Sequence, residues 1–254
     1  MSARKRISLE EEYSKPTGIT ADDIAKLRQW LDTQPHLPKN LTDLDLILIY
    51  HKCDRSLQVS KQEIDNQYTL RTLFTSFFKD RGLDKETETF FQTMLVTVLP
   101  ERSKAGDTIF YGRMLDSDVK NFDFATSIKG IFMALDLWQY EEGTWPGLIF
   151  IFDLQGIKMG LLSKLDIQNL QQFAAYFPSL FRNSSSIKTV ATHWSRSLIL
   201  TSCLRKLAAS LRAWQSVNVS THFKGHLPIS ICTGFKVFFF FFLKLYFFRR
   251  VMKN

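Results

Sequence analysis

A continuous apolar run near the middle of the chain constrains the fold most strongly. Residues Gly147–Asp153 read GLIFIFD and lie between Pro146 and Gly156. A run of this length, rich in branched and aromatic side chains, is typical of a strand that is buried on both faces. Such a strand requires a sheet that is covered by helices on both sides.

Strand and helix patterns alternate around this run. Thr108–Leu115 has the aromatic and branched composition of a second strand. Apolar residues recur at helical spacing from Ile128 to Trp138, and Ser163-x-x-Asp166 forms a capping box that predicts a further helix through Phe177. The order strand, helix, strand, helix favours an α/β layer domain.

The first third of the chain is predicted to be helical. Three capping boxes, Thr20-x-x-Asp23, Thr42-x-x-Asp45 and Ser60-x-x-Glu63, each precede a stretch with apolar residues at helical spacing. They predict a helical subdomain over residues 20–79, followed by a charged linker. The charged segment 1–19 is expected to be disordered.

The positive charge of the chain is confined to its end. Residues 1–182 hold 22 Lys/Arg and 25 Asp/Glu, a net charge of −3, whereas residues 183–254 hold 11 basic residues and no acid. An ordinary domain of that length would contain several carboxylates. The overall net charge of +8 therefore does not indicate a nucleic-acid-binding protein.

No pattern of catalytic or metal-binding residues stands out. The three cysteines are few and widely spaced, the five histidines lack metal-ligand spacing, and the sequence contains neither a phosphate-binding glycine loop nor a nucleophile elbow. Asp153, at the end of the apolar run, is predicted to orient the turn that follows. The sequence predicts a cytoplasmic protein that is not an enzyme and uses no metal or cofactor.

Three segments resemble the CRAL-TRIO lipid-transfer family, in particular its insect α-tocopherol-transfer and retinaldehyde-binding branch. They are Leu46–Phe78, Asp107–Phe124 and above all Leu137–Ile167, which occur in the order of that family within residues 20–181. The resemblance implies an N-terminal helical subdomain followed by an α/β fold around one apolar cavity. Residues 88–181 would form an incomplete domain of this type, because the resemblance stops near Phe181.

The resemblance also implies a site for a hydrophobic ligand. Alternation along the apolar run places Leu148, Phe150 and Phe152 on one face, and the family pattern directs Leu148 and Phe152 to the ligand. The alternative, that these side chains are ordinary core, stays open. The implied ligand-binding residues are Ile131, Ala134, Trp138, Leu148, Phe152, Met159, Leu165, Phe173 and Phe177.

Membrane contact is implied in the same way. Members of the family recognise phosphoinositide headgroups through surface Lys and Arg, and Lys52 and Arg55 are the matching candidates here. The expected role is to bind and transfer a tocopherol-, retinoid- or phosphoinositide-like molecule as a monomer that contacts membranes transiently and binds no nucleic acid. The alternative is a cargo-less protein- or membrane-interaction module.

The basic, Phe-rich tail over residues 182–254 is predicted to be poorly ordered and has two interpretations. Leu200, Leu204, Leu207, Leu211 and Trp214 form an apolar stripe beside basic residues, as in a helix that lies on an anionic membrane. Alternatively, the run of five phenylalanines and the missing acids are typical of translated non-coding sequence.

Overall fold

The computed structural model describes residues 5–153, 155, 157–177 and 188–192. Short 3₁₀ helices cover Val119–Asn121 and Met159–Lys164. The predictions for residues 200–248 of the tail lie outside the described residues. The helices are α1 Leu9–Tyr13, α2 Ala21–Asp32, α3 Asp43–Lys52, α4 Leu57–Leu73, α5 Thr75–Phe78, α6 Lys85–Thr93, α7 Phe124–Glu142 and α8 Ile167–Tyr176; the strands are β1 Met94–Val98, β2 Thr108–Met114, β3 Leu148–Asp153 and β4 Lys188–Thr192.

Two of the predicted capping boxes begin helices as expected. The Thr20 hydroxyl accepts the backbone N–H of Asp23, whose carboxylate accepts the N–H of Thr20. Thr42 and Asp45 make the same reciprocal pair at the start of α3. Both boxes satisfy N–H groups that have no partner within the helix.

The other two predicted capping boxes are wrong. Helix α4 begins one turn earlier, with Ser56 as its cap, and the buried Ser60 hydroxyl donates to the carbonyl of Ser56. At α8 the cap is Asp166, which accepts the N–H groups of Gln168 and Asn169. In both places the cap is the polar residue that immediately precedes the first residue of the helix.

Residues 5–19 are ordered, contrary to the prediction of disorder over 1–19. Ser8 and Glu11 form a capping box at α1, which the sequence analysis missed. Glu12 is 1% exposed and forms an ion pair of 2.8 Å with Lys15, while the backbone N–H of Thr144 donates to its carboxylate. These contacts fix the segment against the loop after α7.

The four strands form one sheet in the order β1-β2-β3-β4. β1 pairs with β2 in antiparallel orientation, and β2, β3 and β4 are parallel. The predicted strands Thr108–Leu115 and Gly147–Asp153 correspond to β2 and β3. The predicted linker ends at Asp84, because Asp84 caps α6 by accepting the N–H of Thr87.

Among the described residues, helices pack on one face of the sheet, while side chains of β3 on the other face are half-buried. Phe110 and Phe150 lie on the first face, which we call the core face, and belong to a cluster with Phe132 of α7 and Tyr176 of α8. Ile149 and Ile151 of β3 point to the opposite face and are half-buried. Among the described residues, therefore, helices do not cover β3 on both sides as the apolar run predicted.

The helical part has its own core and also shares in that of the sheet. Ile24, Leu27 and Ile64 belong to a cluster made only of residues from the first 70 positions. Leu44 and Leu48, on the other side of α3, join the cluster on the core face of the sheet. The two predicted domains therefore pack together through α3.

No helix in the described part of the chain combines the length and apolarity needed to cross a bilayer.

Candidate functional site

Three of the predicted ligand-binding residues are fully enclosed by the core. Leu148 at the start of β3 is 0% exposed, and Ile131 and Trp138 of α7 are 9% and 6% exposed. All three belong to the cluster on the core face. They are therefore part of the protein core.

Half-buried aromatic rings pack against the same cluster. Phe124, Phe152, Phe173 and Phe177 all pack on the core while retaining exposed surface, and we call these four residues the aromatic face. The ring centroids of Phe124 and Phe173 are 6.4 Å apart, and those of Phe173 and Phe177 are 5.1 Å apart. The buried ring of Phe150 lies 5.8 Å from Phe177 and 6.0 Å from Phe152. These rings therefore form one connected aromatic cluster, in which the buried Phe150 links Phe152 to Phe177.

The aromatic face lies at the carboxyl end of β3. Phe152 is the last residue but one of that strand, and Asp153 accepts the backbone N–H of Gln155 at 2.9 Å, which confirms its predicted role in the turn. Phe152 pairs in register with Gly112 of β2, where a Cβ atom would lie 2.9 Å from the Phe152 ring. In parallel α/β sheets, ligands bind beyond the carboxyl ends of the strands.

Phe124 is the residue of this face that the sequence analysis missed. It opens α7 and stands seven positions before Ile131, which stands seven before Trp138. Positions seven apart share one helix face, so extending the predicted stripe, which began at Ile128, by one turn toward the N-terminus would have included it.

The other three predicted ligand-binding residues are Ala134, Leu165 and Met159. Ala134 is half-buried against the core. Leu165 is half-buried in the turn before α8 and is not among the described residues that pack on the core. The side chain of Met159 lies outside the described residues.

A separate polar cleft lies between the helical part and α7. It is a small space of about 50 Å³. A second open groove of about 490 Å³ lies between α6 and the start of α7 and is lined mainly by polar residues. None of the eight predicted ligand-binding residues whose side chains are described lines either space. The polar cleft is lined by Asp45, Leu48, Ile49, Lys52, Gln67, Tyr68, Arg71, Asp136, Gln139, Tyr140 and Trp145.

Asp136 joins three elements beside this cleft. Its carboxylate lies 3.2 Å from Arg71 of α4 and 2.7 Å from Arg81, which follows α5. The Nε–H of Arg71 also donates to the hydroxyl of Tyr176 in α8, at 2.8 Å. These side chains are about one-fifth exposed or less, so the ion pairs are only partly screened by water.

Tyrosine hydroxyls around the cleft are held in the neutral form. Burial raises the pKa of Tyr68, of Tyr176, and of Tyr140, whose hydroxyl also donates to Asp45. The ordinary value is 10.0. At neutral pH these groups therefore act as hydrogen-bond donors and acceptors without charge.

Alkaline pH should destabilise the protein through these tyrosines. Since the folded-state pKa values exceed 10.0, the unfolded chain releases protons that the folded chain retains. The contribution of these tyrosines to the free energy of unfolding is fully present below pH 10. It falls as the pH rises toward their folded-state pKa values, by at most about 1.4 kcal/mol per pH unit for each tyrosine. Urea unfolding at intervals from pH 9 to 11 should show a shallower loss for Tyr176→Phe than for the wild type. Equal slopes would contradict the prediction.

The two predicted phosphoinositide residues both have partners within the protein. Lys52, whose side chain is 11% exposed, lies 2.8 Å from Gln67 and 3.4 Å from Glu63. Arg55 is exposed, and its guanidinium donates to the carbonyl of Thr17 at 3.0 Å. Lys52 would have to leave a nearly buried ion pair in order to bind a headgroup, and this has a cost.

A comparison with protein families finds a similarity in the helical part. Residues 18–87 match the family model described as "Pinta-like, UBA domain". The matched segment extends from just before α2 to the start of α6 and includes the separate helical core. No curated protein matches the chain.

The predicted membership of the CRAL-TRIO family is wrong. The family match is to the model of the Pinta-like UBA domain over the helical segment, and nothing in the comparisons supports a CRAL-TRIO domain. The resemblance rested largely on an apolar strand and the helices around it. Many α/β proteins share those patterns because any strand covered by a helix needs them.

Proposed function

We propose that the protein binds a small hydrophobic molecule or lipid on the aromatic face and carries it without catalysing a reaction. The observation that supports this proposal is the convergence of four half-buried phenylalanines at the carboxyl end of β3. Aromatic side chains supply a large apolar contact area with little loss of side-chain freedom.

The affinity that a carrier requires indicates the class of ligand. A micromolar dissociation constant corresponds to about 8 kcal/mol. At about 25 cal/mol per Å², this requires a ligand to bury roughly 330 Å² of apolar surface, before the cost of association is counted. Tocopherols, retinoids and lipid acyl chains have that much apolar surface, whereas small polar metabolites do not.

The proposed carrier works in the cytoplasm and contacts membranes transiently to load and release its ligand. A purely apolar site gains little when it takes a molecule out of a bilayer, because the ligand leaves one apolar environment for another. Exchange therefore requires direct contact between the aromatic face and the lipid surface. Arg55 is the more accessible of the two candidate headgroup residues.

Replacement of one ring on the aromatic face tests the proposal. Phe173→Gln removes an apolar ring but keeps a side chain of moderate size on α8. The fluorescence of all-trans-retinol or α-tocopherol, titrated with the full-length protein, should report binding to the wild type. The variant should bind at least tenfold more weakly, about 1.4 kcal/mol.

Leu83→Gln is the matched control, since Leu83 is 84% exposed and lies outside the core clusters. It should bind like the wild type, and near-ultraviolet circular dichroism should show that both variants are folded. Equal binding by Phe173→Gln and the wild type would overturn the assignment of the site. Absence of binding by the wild type to either probe, together with native mass spectrometry that finds no co-purified lipid, would overturn the carrier function.

The second candidate is an interaction module without cargo. It is favoured by the separate core of the helical part and by the match of that part to a model described as a domain. In this case the wild type should carry no extractable lipid, and a fragment over residues 18–87 should fold alone with a cooperative unfolding transition.

A further inference from the structure

A polar groove lies between α6 and the start of α7 and has a volume of about 490 Å³. We call this space the α6–α7 groove. One wall is a single face of α6, with the spacing i, i+3, i+4 and i+7, and it carries Glu86, Thr89, Phe90 and Thr93. The other wall is formed by side chains from residues 120–127. The volume is within the range of small-molecule sites.

Three hydroxyl groups in the groove can only accept hydrogen bonds from a ligand. Thr89 donates its single hydroxyl hydrogen to the carbonyl of Lys85, at 2.8 Å. Thr93 donates to the carbonyl of Thr89 at 3.0 Å. Ser127 donates to the carbonyl of Asp123 at 2.6 Å. A hydroxyl has one hydrogen and two lone pairs, so each of these oxygens has only lone pairs left for a ligand.

The charged side chains give the groove a negative balance. Glu86 and Asp123 contribute two negative charges and Lys120 contributes one positive charge, a net charge of 1 − 2 = −1. Asp123 accepts the N–H of Thr126 at 2.7 Å and so caps α7. Its full negative charge more than offsets the positive end of the α7 dipole, which is about half an elementary charge. Glu86 and Asp123 are both exposed and can turn toward a ligand.

The acceptor groups are spread along the groove. Glu86 and Thr93 are seven positions apart on α6, which separates them by about 10 Å along the helix axis. Helix α6 ends at Thr93, so the negative end of its dipole lies at that end of the groove. Phe90 lies between the two ends, and the half-buried Phe122 lines the other wall. A matching ligand is therefore elongated, donates hydrogen bonds at both ends and is apolar between them.

We propose that the α6–α7 groove binds a linear polyamine. Its ammonium groups donate to the carboxylates of Glu86 and Asp123 and to the hydroxyl oxygens along α6, while its methylene groups contact Phe90 and Phe122. An ammonium group has donors and no acceptor, which complements a lining of acceptors. A cation close to an aromatic ring gains further attraction from the ring electrons.

The same lining disfavours other small ligands. A phosphate or a carboxylate would meet one ammonium group, that of Lys120, against the two carboxylates of Glu86 and Asp123. A neutral polyol would gain nothing from the net charge. The proposal does not depend on the proposed carrier function, because no residue of the aromatic face lines this groove.

Isothermal titration calorimetry of the full-length protein with spermidine at low ionic strength tests the proposal. The wild type should bind one spermidine in a saturable manner. Since the whole chain has a net charge of +8, general attraction of a polycation is weak and a saturable site is informative. Glu86→Gln keeps the size of the side chain but removes its charge. It should bind about fivefold more weakly, the equivalent of about 1 kcal/mol.

Two further variants separate the groove from the rest of the surface. Glu88→Gln is the matched control, since Glu88 is exposed on the same helix but does not line the groove, and it should bind like the wild type. Lys120→Gln removes the like charge and should bind about threefold more tightly. Circular dichroism should show that all three variants are folded.

Four results would overturn the proposal. They are absence of spermidine binding up to about 1 mM, equal weakening by Glu86→Gln and Glu88→Gln, unchanged or weaker binding by Lys120→Gln, and equal affinity for the uncharged diol of the same chain length. Binding of inorganic phosphate in place of spermidine would likewise overturn it and would identify Lys120 as the centre of an anion site.

Discussion

Asp136→Ala should lower the free energy of unfolding by about 3 kcal/mol. The substitution removes the carboxylate that neutralises both Arg71 and Arg81, at 3.2 Å and 2.7 Å. The two guanidinium groups would then remain close together and mostly buried, without an opposite charge. Removal of one partner from a buried ion pair costs far more than the pair contributes, because the remaining charge keeps its desolvation penalty.

Urea unfolding followed by circular dichroism would measure this effect. Asp65→Ala is the matched control, since Asp65 pairs with His36 at 2.7 Å but both side chains are 55% exposed. Surface pairs contribute little, so the control should change stability by less than about 1 kcal/mol. Similar losses in the two variants would show that water already screens the charge of Asp136.

Gly130→Ala should destabilise the protein by about 2 kcal/mol, although alanine has a higher helix propensity than glycine. Gly130 lies within α7, and a methyl group built there would overlap the Phe90 ring of α6. Phe90 is 4% exposed and belongs to the core, so its ring has little room to move. The overpacking outweighs the gain in helix propensity, which is about 1 kcal/mol.

Gly82→Ala is the control for this prediction. No atom lies within 4 Å of a Cβ at that position, so the substitution should be neutral or slightly stabilising. Phe90→Leu combined with Gly130→Ala should recover part of the loss, because the smaller side chain makes room for the methyl group. Additive effects in this double-mutant cycle would contradict a direct contact between positions 90 and 130.

Much of the local structure could be predicted because it depends on neighbouring residues. The boxes at Thr20 and Thr42, the strands β2 and β3, and the apolar stripe of α7 all follow from patterns a few residues long. β1 was not predicted as a strand, since it follows α6 directly at Thr93 without a turn residue to mark the change. The Ser60 box failed because its motif also fits the interior of a helix that starts one turn earlier.

The candidate site was predictable only in part. Phe152, Phe173 and Phe177 were expected at a ligand site, and the fold does bring them together with Phe124. Periodicity cannot distinguish Leu148, which is 0% exposed, from Phe152 on the same side of β3, which is half-buried. The difference arises because Leu148 begins the strand beneath α7, whereas Phe152 lies near its carboxyl end.

The sequence by itself determined helices α2 and α3, the two central parallel strands and the helix between them. It did so because hydrogen bonds within a helix turn and alternation along a strand depend on residues close in the chain. Only the tertiary structure decided that Asp136 lies between two arginines 65 and 55 positions away, and that β1 pairs with β2 at one end of the described sheet. Those features depend on which elements become neighbours in space, and no local pattern specifies that choice.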